Sequence, residues 1–155
     1  MPQSFVCLPV HVVFSTKHRV PCIEPDWEPR LYEYMGGILR EEKRVLLAAG
    51  GTADHVHLLI SLSKEKAIAD VLRVLKANSS KWIHLTIANQ TAFAWQTGYA
   101  AFGVSYSNRD KVQHYLSIQK EHHHKLTFKE EYLALLRRHG IEYDERYLWE
   151  DEIVG

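Results

Sequence analysis

The sequence predicts an α+β fold, a β-sheet backed by helices, and three observations carry that expectation. Four stretches rich in β-branched, aliphatic or aromatic residues, at 5–15, 45–49, 55–61 and 93–106, read as strands. Apolar residues recur at helical spacing over 26–42, 65–86, 109–124 and 126–140. The two patterns follow one another in the order β-α-β-β-α-β-α, which suits strands and helices layered around one core.

A chain of 155 residues with 46% hydrophobic side chains is the size of one compact domain, with 125–155 as a C-terminal helix and an acidic, aromatic tail. No apolar run approaches the roughly 18 residues of a membrane span, and Met1-Pro2-Gln3-Ser4 lacks the basic start of a secretory signal. A cytoplasmic location is therefore expected. Cys7 and Cys22, two and far apart, read as reduced structural thiols rather than a zinc knuckle or a disulfide framework. Lys and Arg number 19, as do Asp and Glu, so net charge gives no overall pull toward polyanions. Asp144, Glu145, Glu150, Asp151 and Glu152 nevertheless crowd the C-terminus against Arg146 alone, leaving 18 basic and 14 acidic residues elsewhere.

Taken in order, Val10, Val12 and Phe14 alternate with His11, Val13 and Ser15, and both sets are partly apolar, as in a central strand. Lys17-His18-Arg19 follows where a strand end meets a loop, a solvated cluster or a phosphate contact. Trp27, Leu31, Tyr34, Met35, Ile38 and Leu39 form the core stripe of the first helix, interrupted by Gly36-Gly37. Gly50-Gly51-Thr52-Ala53-Asp54 reads as the turn between the second and third strands. Ser63 is the expected N-cap of the second long helix, whose buried stripe is Ile68, Val71, Leu72, Leu75, Ser79 and Trp82. Its opposite face gathers Lys66, Arg73, Lys76 and Lys81, either an ordinary solvated surface or a set of phosphate donors. Ser107-x-x-Asp110 resembles a capping box opening the next helix, and Thr127 with Glu130 another.

Two places invite chemistry. His55 and His57 sit two apart on a strand, so both imidazoles face the same side and can grip one divalent cation; two half-buried histidines with ordinary hydrogen bonds would leave the same spacing. Tyr115 and Gln119 are one helical turn apart. A phenol with a pKa near 10 is a poor nucleophile at neutral pH, but a metal-polarised phosphodiester makes phosphorus accept its attack. Gln119 can offer a carbonyl oxygen to that metal. The run His122-His123-His124 turns by about 100° per residue and cannot converge on one ion.

Asp54-His55-Val56-His57-Leu58-Leu59, Tyr115-Leu116-Ser117-Ile118-Gln119, Glu121-His122-His123 and Phe128-Lys129-Glu130-Glu131-Tyr132 together resemble the single-tyrosine HUH transposases of small bacterial insertion sequences and their REP-associated relatives. The resemblance runs from His11 to Trp149, with its two motifs in the family's order. It implies a ferredoxin-like or RRM-like antiparallel sheet with helices packed on one face and the tyrosine on a late helix. It also implies that His55, His57 and Gln119 bind Mg²⁺ or Mn²⁺ and that Tyr115 is the nucleophile. Such enzymes cut single-stranded DNA beside hairpins, form a 5′-phosphotyrosine bond, release a 3′-OH and rejoin strands by reversal. They act as homodimers in which the tyrosine helix can complete the partner's site. Lys17, Arg19, Arg73, Lys76 and Lys81 are then the expected DNA contacts. Leu116, Ser117 and Ile118 depart from common residues of the family without removing a chemical group.

No Gly-rich phosphate loop, serine elbow or catalytic cysteine signature competes, and strand exchange through phosphotyrosine needs no nucleotide cofactor. Two rivals stand. A histidine-triad hydrolase would need a third histidine where Leu59 stands. A non-catalytic RRM-like binder would keep the shape and the basic face but need neither Tyr115 nor metal.

Overall fold

The computed structural model describes residues 3–122 and 126–149. Four strands, β1 (Leu8–Ser15), β2 (Val45–Gly51), β3 (His55–Leu62) and β4 (Ala100–Gly103), form one antiparallel sheet in the order β2-β3-β1-β4. Helix α1 (Glu28–Glu41) links β1 to β2, and α2 (Ile68–Thr86) links β3 to β4. This is the ferredoxin-like arrangement. After β4 come α3 (Arg109–Ser117), α4 (Gln119–His122), α5 (Phe128–Arg138) and α6 (Glu145–Leu148). No helix among the described residues is long and apolar enough to cross a membrane.

Strand alternation divides the core into two layers. Val12, Phe14, Val56, Leu58 and Ile60 meet Leu31, Met35 and Leu39 of α1 and Val71, Leu72 and Leu75 of α2 on one face. Tyr34 of α1 stacks on Trp82 of α2 at 5.2 Å, tying the two backing helices together. Val13 and Phe102 turn to the other face, where Phe128, Tyr132, Leu135 and Leu136 of α5 cover them. The expected backing layer is present, and a second helical layer joins it on the opposite face. His11, His55 and His57 lie between that second layer and the sheet, all buried.

Several boundaries differ from the sequence expectation for identifiable reasons. The first strand begins at Leu8 because its pairing with β3 starts at Leu8↔Leu62, and Phe5 upstream is 87% exposed. Ser63 does not cap α2: its Oγ accepts the Glu65 N–H at 3.2 Å in a separate turn, and Ala67 occupies the N-cap position. The last strand shrinks to four residues because Trp95 makes only an isolated bridge to Thr16. Phe93 and Trp95 instead enter the core edge to face at 4.7 Å, and the Trp95 indole N–H donates to Ser79 Oγ at 3.0 Å. Ser107 forms no capping box; residues Tyr106–Asn108 make a 3₁₀ turn ahead of α3. The helix expected over 109–124 breaks at Ile118, whose φ of −104° and ψ of 17° separate α3 from α4. His123, His124, Glu150, Asp151 and Glu152 lie outside the described residues.

Gly50 and Gly51 end β2 rather than forming a turn. At Gly50 the reason for glycine is direct: a Cβ would stand 1.9 Å from the Leu116 carbonyl oxygen. The end of α3 therefore rests on the β2 backbone. Gly50 is the register partner of His57, so this contact brings the tyrosine helix down beside the histidine pair.

Candidate active site

His55 and His57 project from β3 to the same face, as the period of two requires, and both are fully buried. Each ring is held from behind through Nδ1. His55 Nδ1 lies 2.7 Å from Asp54 Oδ1, and the Thr52 hydroxyl donates to that same oxygen at 2.9 Å. His57 Nδ1 lies 2.8 Å from His11 Nε2. Both Nε2 atoms then point at one oxygen, Glu131 Oε1, which is 2.9 Å from His57 and 3.3 Å from His55.

Glu131 arrives there because the first turn of α5 is set by its neighbour. Thr127 Oγ1 accepts the Glu130 N–H at 3.2 Å while the Glu130 carboxylate accepts the Thr127 N–H at 3.3 Å, a complete capping box. With Glu130 engaged at the helix end, Glu131 falls on the buried face with Phe128, Tyr132 and Leu135. Its second oxygen, Oε2, accepts the Tyr115 hydroxyl. The Tyr115 ring lies 5.6 Å from His57 and nearly perpendicular to it. Gln119 is buried, and its Nε2 donates to the Tyr115 carbonyl at 3.2 Å across the break between α3 and α4. Lys120, in the turn that follows, pairs with buried Glu28 at the start of α1 and anchors α4.

The electrostatics follow from burial. Burial and the neighbouring His57 hold the His11 imidazole down to about 3, so it is neutral. At His55 burial opposes charge, but the hydrogen bonds to Asp54 and Glu131 outweigh it and raise the pKa. Burial, then the bond to Glu131, pushes the Tyr115 phenol up, opposed by Gln119 and by the charge of Arg138. The phenol is thus held protonated, with its hydrogen directed at a carboxylate.

His55, His57 and Glu131 offer two imidazole nitrogens and a carboxylate oxygen within 4.8 Å of one another. Ligands at right angles around an ion about 2.1 Å from each would be about 3 Å apart. The 2.9 and 3.3 Å separations fit that requirement. A nitrogen and oxygen donor set of this kind suits Mg²⁺, Mn²⁺ or a later transition ion.

Comparison with known proteins gives the family and supports the fold. Residues 4–119 match the family described as "Transposase IS200 like". The chain belongs to the IS200-like transposase family. Among its relatives is the ISDra2 transposase TnpA of Deinococcus radiodurans, 23% identical over 119 residues, which span 74% of this chain and 85% of the relative. A crystal structure from Deinococcus radiodurans assigned as a transposase superposes with a TM-score of 0.63 at 22% identity, covering 77% of this chain and 96% of that one. A REP-associated tyrosine transposase bound to a REP hairpin gives a TM-score of 0.56 at 12% identity, over 76% of this chain and 70% of the other. These two structures share the fold of this transposase.

The structure brings His55, His57 and Tyr115 together within one chain and sets Gln119 against Tyr115. The expected DNA contacts separate. Lys17 and Arg19 follow β1 at the end of the sheet where Ser15 pairs with His55, and the Arg19 guanidinium lies 5.1 Å over Trp149. Arg73, Lys76 and Lys81 lie on α2, which backs the opposite face of the sheet. Lys76 folds inward onto the carbonyls of Gln96 at 2.9 Å and Gly98 at 2.6 Å, and burial lowers its pKa to about 8. Glu131 and His11 are the site residues that the sequence reading did not single out. An acid on the apolar stripe of an amphipathic helix was the available signal for Glu131, which also lies beyond the family match.

Proposed function

We propose that this transposase cuts and rejoins single-stranded DNA through a 5′-phosphotyrosine intermediate, with Tyr115 as the nucleophile. The observation that carries this reading is the Tyr115 hydroxyl donating to Glu131, the carboxylate that also faces both His55 and His57. Nucleophile, proton acceptor and cation ligands are adjacent, and one chain supplies them all.

His55 and His57 would hold a Mg²⁺ or Mn²⁺ ion, which when bound neutralises charge developing on the scissile phosphate. The third position is offered by Glu131 Oε1, with Gln119, the ligand that the family resemblance nominates, beside Tyr115. Tyr115 attacks phosphorus, its proton passes to Glu131 Oε2, and the bond from phosphorus to the 3′-oxygen breaks. That oxygen takes up a proton and leaves as the 3′-OH; the reverse reaction joins a new strand. Asp54 and His11 keep the two imidazole rings oriented from behind. The solved relative bound to a REP hairpin supports a hairpin-bearing strand as the substrate here. Lys17 and Arg19, at the same end of the sheet as His55, would hold it, and the α2 residues Arg73 and Lys81 would meet DNA only by its wrapping past the sheet edge. In this reading Tyr115 acts within its own subunit, whether or not the homodimer implied by the resemblance forms.

The test is covalent capture. A library of single strands carrying hairpins with varied flanks is incubated with the protein and Mn²⁺, then resolved under denaturing conditions. A metal-dependent adduct lost in Tyr115→Phe is expected. Retention of hairpins without any adduct would favour the non-catalytic binder.

A further inference from the structure

Beside Tyr115, between α3 and α5, runs a groove of about 460 Å³ whose lining includes His11, Lys111, Tyr115, Arg138 and His139. That volume is in the range of small-ligand sites. No Asp or Glu among the described residues lines it. Lys111 precedes Tyr115 by four residues on α3, so the two side chains share a face. Arg138 follows Glu131 by seven residues on α5, two turns along the same face and about 10 Å further on. Both cations are exposed, and neither forms an ion pair with a described residue.

His139 is built differently. Its ring stacks on Phe102 at 4.2 Å, and its Nδ1 lies 2.9 Å from the Leu135 carbonyl. Phe102 is buried beneath it, whereas His139 is exposed and lines the groove. A ring fixed from below and at its edge presents its outer face as a flat platform. Flat platforms between cations suit a nucleotide, whose base stacks while its phosphates take the charge.

We propose that this groove holds an unpaired nucleotide of the DNA strand next to the bond that Tyr115 attacks, with the base on His139 and the flanking phosphates on Lys111 and Arg138. The inference rests on the strand-cleavage reading above and adds the path of the strand. It runs along a surface separate from Lys17, Arg19 and the α2 lysines.

Binding is measured without metal by fluorescence anisotropy, using labelled oligothymidylate about 12 nucleotides long, across a salt series. Each neutralised phosphate contact on a single strand contributes about 0.7 to the slope of log K against log salt. Lys111→Ala and Arg138→Ala are each expected to lower the slope by about that amount, while Lys64→Ala, outside the groove lining, leaves it unchanged. His139→Ala is expected to weaken binding several-fold with the slope intact. Wild-type slopes in both groove variants, slopes no different from Lys64→Ala, or no binding by the wild-type protein at low salt would overturn the proposal. Covalent adduct formation distinguishes the two readings: an adduct with unchanged groove slopes removes the groove and leaves the chemistry, and lost slopes without an adduct do the reverse.

Discussion

Gly50 lies so close to Leu116 that a methyl group on its Cα would stand 1.9 Å from the Leu116 carbonyl oxygen. Both partners are backbone, one in a paired strand and one in a helix, so neither yields cheaply. Gly50→Ala is expected to lift α3 from the sheet, lowering stability by about 1–3 kcal/mol and cutting adduct formation more than ten-fold. Gly37→Ala, in α1 with nothing within 4 Å of the added carbon, should instead stabilise by about 0.5–1 kcal/mol. Denaturant unfolding of the two variants checks the contrast, and equal effects would refute it.

His11 stands behind His57 as Asp54 stands behind His55, although as a neutral imidazole rather than a carboxylate. Partners of this kind typically contribute 10–100-fold to metal affinity. Mn²⁺ binding by His11→Phe should weaken by about that factor, whereas His11→Gln, which keeps an acceptor, should lose less. Electron paramagnetic resonance titration of free Mn²⁺ reads both. Full affinity in His11→Phe would show that His57 needs no support.

Acid should destabilise the metal-free protein through His11. Its folded pKa of about 3 lies below the unfolded value of 6.5, so between those values the unfolded chain binds a proton that the native chain refuses. Stability from this group is complete above pH 6.5 and declines as pH falls toward 3. Urea melts of wild type and His11→Phe in chelator across that window should show a shallower decline in the variant. Parallel curves would assign the acid sensitivity elsewhere.

Because Tyr115 reaches Glu131 and the histidine pair within one chain, two inactive variants should not rescue each other. Tyr115→Phe mixed with His57→Ala is expected to give no adduct. Recovery on mixing would indicate a tyrosine supplied by a second subunit.

What the sequence made legible was local. His55 and His57 share a face because a strand alternates, and the order of apolar patterns was enough for the sheet and its two connecting helices. Glu131 escaped notice because it meets His57 across 74 residues, and helical periodicity says only that an acid is buried, not what it faces. Residues 93–99 resembled a strand because aromatic groups bury equally well in a packed loop. Only the extent of backbone pairing, a single bridge at Trp95 rather than a continuous ladder, separates the two, and that is a matter of tertiary structure. The break at Ile118 was equally hidden, since the sequence there contains neither glycine nor proline.

The most direct measurement is the mass-spectrometric location of the DNA-linked peptide after capture with Mn²⁺ and digestion. A nucleotide remnant on Tyr115, absent in Glu131→Ala and His57→Ala, is the expected result. An adduct on another tyrosine, or one on Tyr115 indifferent to loss of Glu131 and His57, would contradict the assembly of phenol, carboxylate and imidazoles into one reactive site.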